Sequence, residues 1–424
     1  MTLPLVLLSL TGPLVAGHSQ DVIPASARIP VAVSVPVGEP LDCSGEYETL
    51  QSGEGKSVRL GQSTGWFEYE VQVPVGGRYQ VTIDLAGDAS GTPSTVWLED
   101  YVKNEDGRTY DVTGPRTIQP GVQPGSIVSY GSPLDAGIHR MRLHVAGEGL
   151  QISGLNLSLL RRHQTTPRQL TQNMTPGDGD GEWKLVWSDE FDGEGLPDEE
   201  TWTCDVGDWG WGNREPQFYT EKRLKNARQE GGNLIIEAHR DDEGFPWTSA
   251  RLTTRGKLSF LYGRIEIRAK VPSGDGAWAA GWLLGDAYRD EISWPYCGEI
   301  DVCEAVGREI DDETGDGINH ASCHTRAYYF KQGNHISNRL AVKGMATEFH
   351  TYTVEWEKDE VRMYVDDTHY YTYDKVGDRN SWPFAEPQNL ILNLAMGGGM
   401  GGAIDPELTS ARYEIDYVRV YERP

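Results

Sequence analysis

The segment WPYCGEIDVCEAVG, residues 294–307, places three acids in an otherwise apolar stretch. Side chains two residues apart on a β-strand share a face, so Glu299 and Asp301 are predicted to point the same way. Glu304 would face the opposite side of a regular strand, but a β-bulge around residues 302–303 would return it to the face of the other two acids. The segment therefore predicts a bulged strand with three carboxylates on one face.

Three carboxylates on one face of a sheet repel one another and lose hydration, which is unfavourable unless the arrangement serves a purpose. Glycoside hydrolysis uses such a group, because one carboxylate attacks the anomeric carbon while a second, protonated one assists the departing oxygen. An intervening aspartate can hold the protonation states of the pair apart. The alternatives are a solvated acidic strand, which would have polar neighbours instead of Ile300, Val302 and Ala305, and a calcium loop, which would carry glycine and Asn or Asp at alternate positions. The pattern favours catalysis.

The chain around this segment is rich in further strand-like sequences. Between Trp183 and the C-terminus they include GRIEIRAKV at 263–271, TYTVEW at 351–356, VRMYVD at 361–366 and IDYVRVY at 415–421. Residues 183–424 are therefore predicted to form an all-β domain of the size of a large jelly-roll sandwich.

A second block precedes this domain. Apolar and polar residues alternate in FEYEVQV at 67–73 and YQVTIDL at 79–85, with Gly and Pro turns between them. Such short alternating strands predict a smaller antiparallel β-sandwich over residues 21–162. Residues 163–182, HQTTPRQLTQNMTPGDGDGE, are polar and rich in Pro and Gly, which is typical of a linker.

The composition restricts the class of partner. The formal net charge is −26, which repels polyanions and argues against nucleic acid, anionic membranes and heavily sulfated polysaccharides. Neutral glycans carry no such penalty.

The first 17 residues contain the apolar run LPLVLLSLTGPLVAG. The run is too short and too interrupted for a transmembrane helix, and it predicts a signal peptide over residues 1–17, with a buried strand as the alternative. The protein is thus expected to be secreted or periplasmic. Export would permit a disulfide, although the odd number of five cysteines leaves at least one unpaired within the chain.

The acidic segment also resembles a known family. GEIDVCE is similar to the ExDxxE signature of glycoside hydrolase family 16 in its bulged, laminarinase-type form, with Cys303 where Met is usual. Further matching motifs follow in order along residues 183–424: WSDEF at 187–191, WGNREPQFYT at 211–220, TSARLTT at 248–254, YGRIEIRAKVPSGDGAWAAGW at 262–282, FHTYTVEW at 349–356, LILNLAMGG at 390–398 and IDYVRVY at 415–421.

The resemblance implies a curved, concanavalin A-like jelly roll with the acidic strand on its concave face. It implies a retaining enzyme that needs no cofactor for catalysis, with Glu299 as nucleophile, Asp301 as its partner and Glu304 as acid/base. The substrate-contacting positions that it implies are Trp294, Trp278, Asn213, Arg251 and His324. A lone histidine is as readily structural, and Trp282 is expected in the core.

A structural calcium on the convex side is a further implication of the resemblance. Its ligands would be the backbone oxygens of Glu190 and Gly232 and the carboxylate of Asp416, a plausible set for a hard cation. The alternative is that Asp416 only closes a turn. The segment GGGMGG at 397–402 departs from the family, since Met400 stands where a Trp often lies.

The N-terminal block resembles carbohydrate-binding modules of family 6. The similar stretches are TGWFEYEVQVPVGGRYQVTIDLAG at 64–87, SPLDAGIHRMRLHV at 132–145 and ISGLNLSLL at 152–160. Trp66 and Tyr69 belong to a strand expected in the core, so Trp97 and Tyr101 are the candidate ligand aromatics. A structural sandwich without glycan binding is the alternative.

Taken together, these features predict a monomeric endo-1,3-β-glucanase whose partner is a β-glucan polysaccharide, with mixed-linkage 1,3-1,4-glucan as a further substrate. One alternative is a family 16 galactanase acting on agar or carrageenan. Another is a non-catalytic β-glucan recognition protein, although such proteins have typically lost the catalytic glutamates that this chain retains.

Overall fold

The computed structural model describes residues 31–52, 55–86, 93–101, 109–120, 125–163, 168–169 and 181–423. The predicted signal peptide and most of the predicted linker lie outside these residues. In the part of the chain described, no helix is long and apolar enough to cross a bilayer.

The described residues of the N-terminal block form twelve strands. They are β1 (Ala32–Val35), β2 (Asp42–Cys43), β3 (Tyr47–Ser52), β4 (Gly55–Leu60), β5 (Thr64–Val73), β6 (Gly77–Ala86), β7 (Ser94–Tyr101), β8 (Thr109–Asp111), β9 (Arg116–Ile118), β10 (Ser126–Leu134), β11 (Gly137–Ala146) and β12 (Gln151–Arg162). One sheet has the order β10-β6-β12-β4-β3 with β1 on β12, and the other has the order β2-β5-β11-β7-β8 with β9 on β7.

These two sheets enclose one apolar core, in keeping with the alternation in the sequence. Residues of β6 alternate between buried and partly exposed along most of the strand, as expected when one face of a sheet packs inward. Phe67, Tyr79 and Leu143 are fully buried between the sheets. The predicted N-terminal β-sandwich is present.

The C-terminal block contains the remaining strands. They are β13 (Arg168–Gln169), β14 (Lys184–Asp189), β15 (Thr203–Cys204), β16 (Gln217–Tyr219), β17 (Ala227–Glu230), β18 (Asn233–Asp242), β19 (Phe245–Ser249), β20 (Arg251–Thr253), β21 (Leu258–Ser259), β22 (Gly263–Lys270), β23 (Ala277–Gly285), β24 (Glu299–Val306), β25 (Gly317–His324), β26 (Ile336–Val342), β27 (His350–Trp356), β28 (Glu360–Val365), β29 (Thr368–Asp374), β30 (Gln388–Met396) and β31 (Ser410–Glu422). The helical segments described are the short helix α1 (Gly398–Gly401) and single 3₁₀ turns at Glu291–Ser293, Gly307–Glu309 and Phe330–Gln332.

Two large sheets form a second sandwich. A ten-stranded sheet has the order β16-β19-β18-β31-β22-β27-β28-β29, with β14 on β31 and β17 on β18. A seven-stranded sheet has the order β15-β20-β30-β23-β24-β25-β26. The largest apolar core lies between them, and it includes Ile267, Ile300 and Leu392, all fully buried. The predicted all-β jelly-roll fold is confirmed.

Part of the predicted linker contacts the C-terminal sandwich. Arg168–Gln169 pair in parallel with Leu258–Ser259. Because the rest of residues 163–182 is almost entirely outside the described part, the linker and the domain boundaries stay predictions.

Candidate active site

The three acids lie on β24, beside β23. The pairing matches Trp282 with Asp301 and Gly281 with Cys303, so Val302 is the extra residue of a β-bulge. The bulge that the sequence predicts at 302–303 is therefore confirmed. It turns Glu304 to the same side as Glu299, and both line one cavity together with Asp301.

A buried asparagine of the next strand holds this bulge. The backbone N–H of Glu304 donates to Oδ1 of Asn319 at 3.1 Å, and Nδ2 of Asn319 donates to the carbonyl of Val302 at 3.0 Å. Nδ2 also lies 2.7 Å from the hydroxyl of Tyr370. The polar groups that a bulge leaves unpaired are thus satisfied by one side chain. The sequence alone does not identify Asn319, because no local pattern marks a residue that acts on a neighbouring strand.

The cavity opens on the face of the seven-stranded sheet and is rich in aromatic rings. Its other lining residues are Trp209, Trp211, Gly212, Asn213, Glu215, Arg251, Trp278, Ala280, Trp282, Leu284, Tyr288, Trp294, Phe330, Lys331, Asn393 and Ala395. Flat aromatic surfaces with a few fixed polar groups suit the binding of sugars.

Each glutamate receives an indole N–H. Nε1 of Trp294 donates to Oε2 of Glu299 at 2.9 Å, and Nε1 of Trp278 donates to Oε1 of Glu304 at 3.2 Å. Asp301 lies between the two glutamates in the sequence and accepts a hydrogen bond from the hydroxyl of Ser322 at 2.5 Å. The two glutamates are therefore held separately, each by its own tryptophan.

His324 belongs to this group. Its Nε2 lies 3.3 Å from Oδ2 of Asp301 and 3.8 Å from Oε1 of Glu299, and its ring is buried. His324 does not line the cavity itself. The structure therefore places it behind the acids as a neighbour of Asp301.

The acids influence one another's protonation. Burial raises the pKa of Glu299 well above its usual range, and the charge of Asp301 raises it further. The same two causes raise the pKa of Glu304. Carboxylates this close do not all ionise together, so the pair retains a proton near neutral pH.

The surroundings of the two glutamates differ. The Trp294 hydrogen bond and the cationic Arg251 lower the pKa of Glu299 against the effect of burial, whereas the charge of Glu304 raises it. The pKa of Glu304 is raised further by the charge of Glu309. The indole N–H of Trp278 lowers the pKa of Glu304 against these effects, so both glutamates keep raised pKa values, and the roles of nucleophile and acid follow from the resemblance and not from these shifts.

The structure brings the other predicted substrate residues to the same cavity. Trp294, Trp278, Asn213 and Arg251 all line it. Trp282, which the sequence analysis expects in the core, also lines it, and this expectation is wrong. Its indole N–H donates to Asn393 at 2.7 Å, so the ring is anchored by a polar partner at the cavity wall.

The residues predicted as calcium ligands lie on or next to three neighbouring strands of the ten-stranded sheet. β14 pairs with β31 as far as Asp189–Val418, and β18 pairs with β31 from Leu234–Ile415, so Glu190 and Gly232 both fall at the gap beside Asp416. This placement fits the predicted set of two carbonyls and one carboxylate. The carboxylate of Asp416 accepts a hydrogen bond from Arg268. A cation would have to compete with that guanidinium.

Known proteins are similar to this chain over its C-terminal sandwich. The profile described as Glycosyl hydrolases family 16 matches residues 213–419. The chain is 48% identical over 249 residues to a beta-glucanase of Rhodothermus marinus, an alignment that covers 56% of this chain and 85% of that protein. It is 34% identical over 261 residues to a glucan endo-1,3-beta-glucosidase of Cryptopygus antarcticus, covering 56% and 92% of the two chains.

A solved structure agrees with these alignments. The X-ray structure of the laminarinase from Rhodothermus marinus matches with a TM-score of 0.54 at 47% identity, and the match covers 57% of this chain and 99% of that one. The profile match includes the bulged strand and all three acids. This protein therefore belongs to glycosyl hydrolase family 16.

Proposed function

We propose that the C-terminal sandwich hydrolyses β-1,3-glucan at internal bonds with retention of anomeric configuration. The observation that carries the proposal is the bulged strand, which directs Glu299, Asp301 and Glu304 into one aromatic-lined cavity. The relatives named beta-glucanase, glucan endo-1,3-beta-glucosidase and laminarinase support the substrate class.

The first chemical step uses the two glutamates together. The carboxylate of Glu299 attacks the anomeric carbon while Glu304 transfers its proton to the glycosidic oxygen, and the bond to the leaving sugar breaks. Glu304, now ionised, then takes a proton from a water molecule that attacks the same carbon and releases Glu299. Two inversions at one carbon give net retention.

Asp301 and His324 support these steps from behind. The charge of Asp301 raises the pKa of both glutamates, and so favours a proton on the pair. Ser322 and His324 fix the position of that carboxylate. Asp301 therefore acts as a positioning and electrostatic partner.

The test is hydrolysis of a panel of polysaccharides by the full chain. We expect release of reducing ends from laminarin, and from mixed-linkage lichenan if the cleft tolerates 1,4 bonds, but none from agarose or carrageenan. Proton NMR of the first products should show the β-anomer. Cleavage of agarose alone, or an initial α-anomer, would contradict the proposal.

We also propose that the N-terminal sandwich binds glucan and assists attack on insoluble material. Tyr69 is buried as expected, but Trp66 faces the other side of β5, where the guanidinium of Arg142 lies 3.9 Å from its ring centroid and 3.6 Å from that of Tyr101. On the same sheet Trp97 stacks on His144 at 4.7 Å. These partly exposed rings are ordered, as sugar-stacking platforms need to be.

Variants of the full chain test this second proposal. Replacing both Trp66 and Trp97 by alanine should lower activity on insoluble curdlan while leaving activity on soluble laminarin unchanged, because a tether helps only when a surface has to be held. Equal activity on curdlan would leave the sandwich a structural partner.

Three further expectations remain proposals. We propose that the protein is exported, with residues 1–17 as the signal, which N-terminal sequencing of the mature protein would test. We propose that it is a monomer, which sedimentation would test. We propose that calcium binds beside Asp416, supported by the converging strand ends; chelation should then lower the melting temperature, and Asp416→Asn should abolish that effect.

A further inference from the structure

The N-terminal sandwich packs against a loop of the active site. Residues 205–212 run irregularly between β15 and β16 and carry Trp209 and Trp211 to the cavity. On the outer side of this loop, the carboxylate of Asp208 accepts hydrogen bonds from the guanidinium of Arg116 and from the backbone N–H of Tyr130, the latter at 3.1 Å. Both donors belong to the N-terminal sandwich.

The two backbones approach closely at this contact. A Cβ added to Gly114 would lie 3.1 Å from the carbonyl oxygen of Asp208, and one added to Gly207 would lie 3.0 Å from the carbonyl oxygen of Tyr130. The ring of Tyr130 packs edge-on against Phe218 with centroids 5.3 Å apart. Such close contact describes a docked interface.

Arg78 of β6 reaches through the interface to the cavity wall. Its guanidinium donates to the carbonyl of Val206, lies 4.0 Å from Oδ1 of Asp205 and is 5.1 Å from the ring centroid of Trp211. Its side chain is only 14% exposed. A cation over an indole at this distance restrains the ring and is attracted to its face.

Asp205 connects Arg78 to Arg251. The second carboxylate oxygen of Asp205 accepts from Nε of Arg251 at 3.2 Å, and the guanidinium of Arg251 is 4.8 Å from Trp211 and 4.7 Å from Trp282. Burial alone would raise the pKa of Asp205, but the cationic Arg78, Arg255 and Arg251 lower it to about 2. The carboxylate of Asp205 therefore stays ionised between Arg78 and Arg251 across the working pH range.

The opposite wall of the cavity is also touched. Nζ of Lys331, which lines the cavity, lies 5.6 Å from the ring centroid of Tyr110 in the N-terminal sandwich and 5.5 Å from that of Trp294. The N-terminal sandwich therefore contacts residues on both sides of the cleft.

We propose that the N-terminal sandwich forms a fixed outer wall of the cleft, with Arg78 as a positioning residue that sets the affinity for glucan units at the Trp211 end. The proposal rests on the function proposed above, since it names the substrate as a glucan chain. The loop is rich in glycine, DVGDWGWG, and contains no regular strand. Ordering such a loop on binding would weaken affinity, and contacts that hold it beforehand remove that cost.

The test uses the full chain with three variants. Arg78→Ala removes the contact with Trp211. Arg116→Gln weakens the contact between the N-terminal sandwich and the loop, and it provides a second variant in case Arg78→Ala folds poorly. Arg140→Ala is the control, because Arg140 belongs to the same sandwich but pairs with Glu68 and Glu70 and is 43% exposed. Steady-state kinetics are measured on laminarin and on laminari-oligosaccharides of increasing length.

We expect Arg78→Ala to raise KM for laminarin and the longest oligosaccharides about tenfold. This corresponds to the loss of one cation–ring contact and of the loop order that it maintains. Its kcat should stay close to that of the wild type, and KM should rise less for the shortest substrates, because they occupy fewer sugar positions in the cleft. Arg140→Ala should match the wild type. An unchanged KM profile, or a loss of kcat at unchanged KM, would overturn the proposal.

A second measurement does not depend on activity. Amide hydrogen exchange over residues 205–219 should be faster in Arg78→Ala and in Arg116→Gln than in the wild type and Arg140→Ala. Unchanged exchange in both variants would overturn the fixed wall even if laminarin is cleaved. If exchange is faster in both variants but the wild type does not cleave laminarin, the fixed wall is supported and the proposed substrate is wrong.

Discussion

At the residue scale, each of the two catalytic glutamates is held by its own indole N–H group. Trp294 bonds Glu299 and Trp278 bonds Glu304, with the shorter bond on Glu299. Burial and the charge of Asp301 raise the pKa of both acids, and each indole bond lowers it. The positions of the two carboxylates therefore depend on side chains outside the acidic motif.

Removal of each glutamate should give a different kinetic result. Glu299→Gln should lose activity on laminarin and on aryl β-glucosides alike, because no covalent intermediate can form. Glu304→Gln should lower activity on laminarin about 10²–10⁴-fold. With an aryl β-glucoside, the rate of the first step should fall much less, because the departing phenol needs no proton. Stopped assays that follow phenol release would show this. Equal losses on both substrates in Glu304→Gln would contradict its role as acid.

Asp111, near the domain interface, provides a prediction for stability. Burial, with the charge of Glu99, raises the pKa of Asp111 from 3.8 to about 6. Because the folded state binds this proton more tightly, its stabilising effect is present below pH 4 and is lost as the pH rises through 6. Asp111→Asn should therefore raise the free energy of unfolding by about 1–3 kcal/mol at pH 7.5 and by little at pH 4. Denaturant titrations at both pH values would check this, with the exposed Asp367→Asn as control.

At the scale of the element, β24 depends on its neighbour β25 for its shape. Asn319 bonds the carbonyl of Val302 and the N–H of Glu304 on either side of the bulge. A straightened strand would turn Glu304 away from the cavity, because side-chain direction alternates along a strand. The bulge is therefore part of the active site.

Asn319→Ala should lower kcat on laminarin about tenfold and destabilise the fold by about 1–3 kcal/mol, since it leaves buried backbone groups unpaired. Asn389→Ala is the matched control, because Asn389 is equally buried and donates to the carbonyl of Leu284 at 2.7 Å in the same sheet. It should lose similar stability at normal kcat. Equal kcat in both variants would show that Asn319 is only structural.

The sequence predicts the elements well where its signals are local. The alternation of two residues and the spacing of the acids predict both the strands and the bulge of β24. Contacts between distant segments leave no such pattern, so the sequence does not predict the roles of Asn319 and Arg78. The sequence places Trp282 in the core because the pattern of a strand indicates burial of an apolar ring but not its polar partner Asn393.

At the scale of the whole molecule, the polar residues 163–182 predict a tether, whereas the sandwiches themselves are in contact. Arg116 and Asp208 pair across the interface, and Arg78 and Asp205 are both largely buried there. Removing one partner of a buried ion pair leaves an uncompensated charge. The two cores should therefore be coupled.

This coupling predicts a single unfolding transition. In scanning calorimetry the full chain should melt in one step, and the double change Arg78→Ala with Arg116→Gln should split it into two, because each sandwich has a core of its own. Arg140→Ala should leave the single transition. Two transitions in the wild type would contradict the coupling.

The state of the cysteines has a consequence for how this molecule is made. All five thiols are free, and Cys297, Cys303 and Cys323 are buried. Burial raises the pKa of Cys303 to about 12, so its reactive thiolate is scarce at neutral pH. The packing around β24 is therefore formed with these thiols reduced. The melting temperature should not change when a reductant is added.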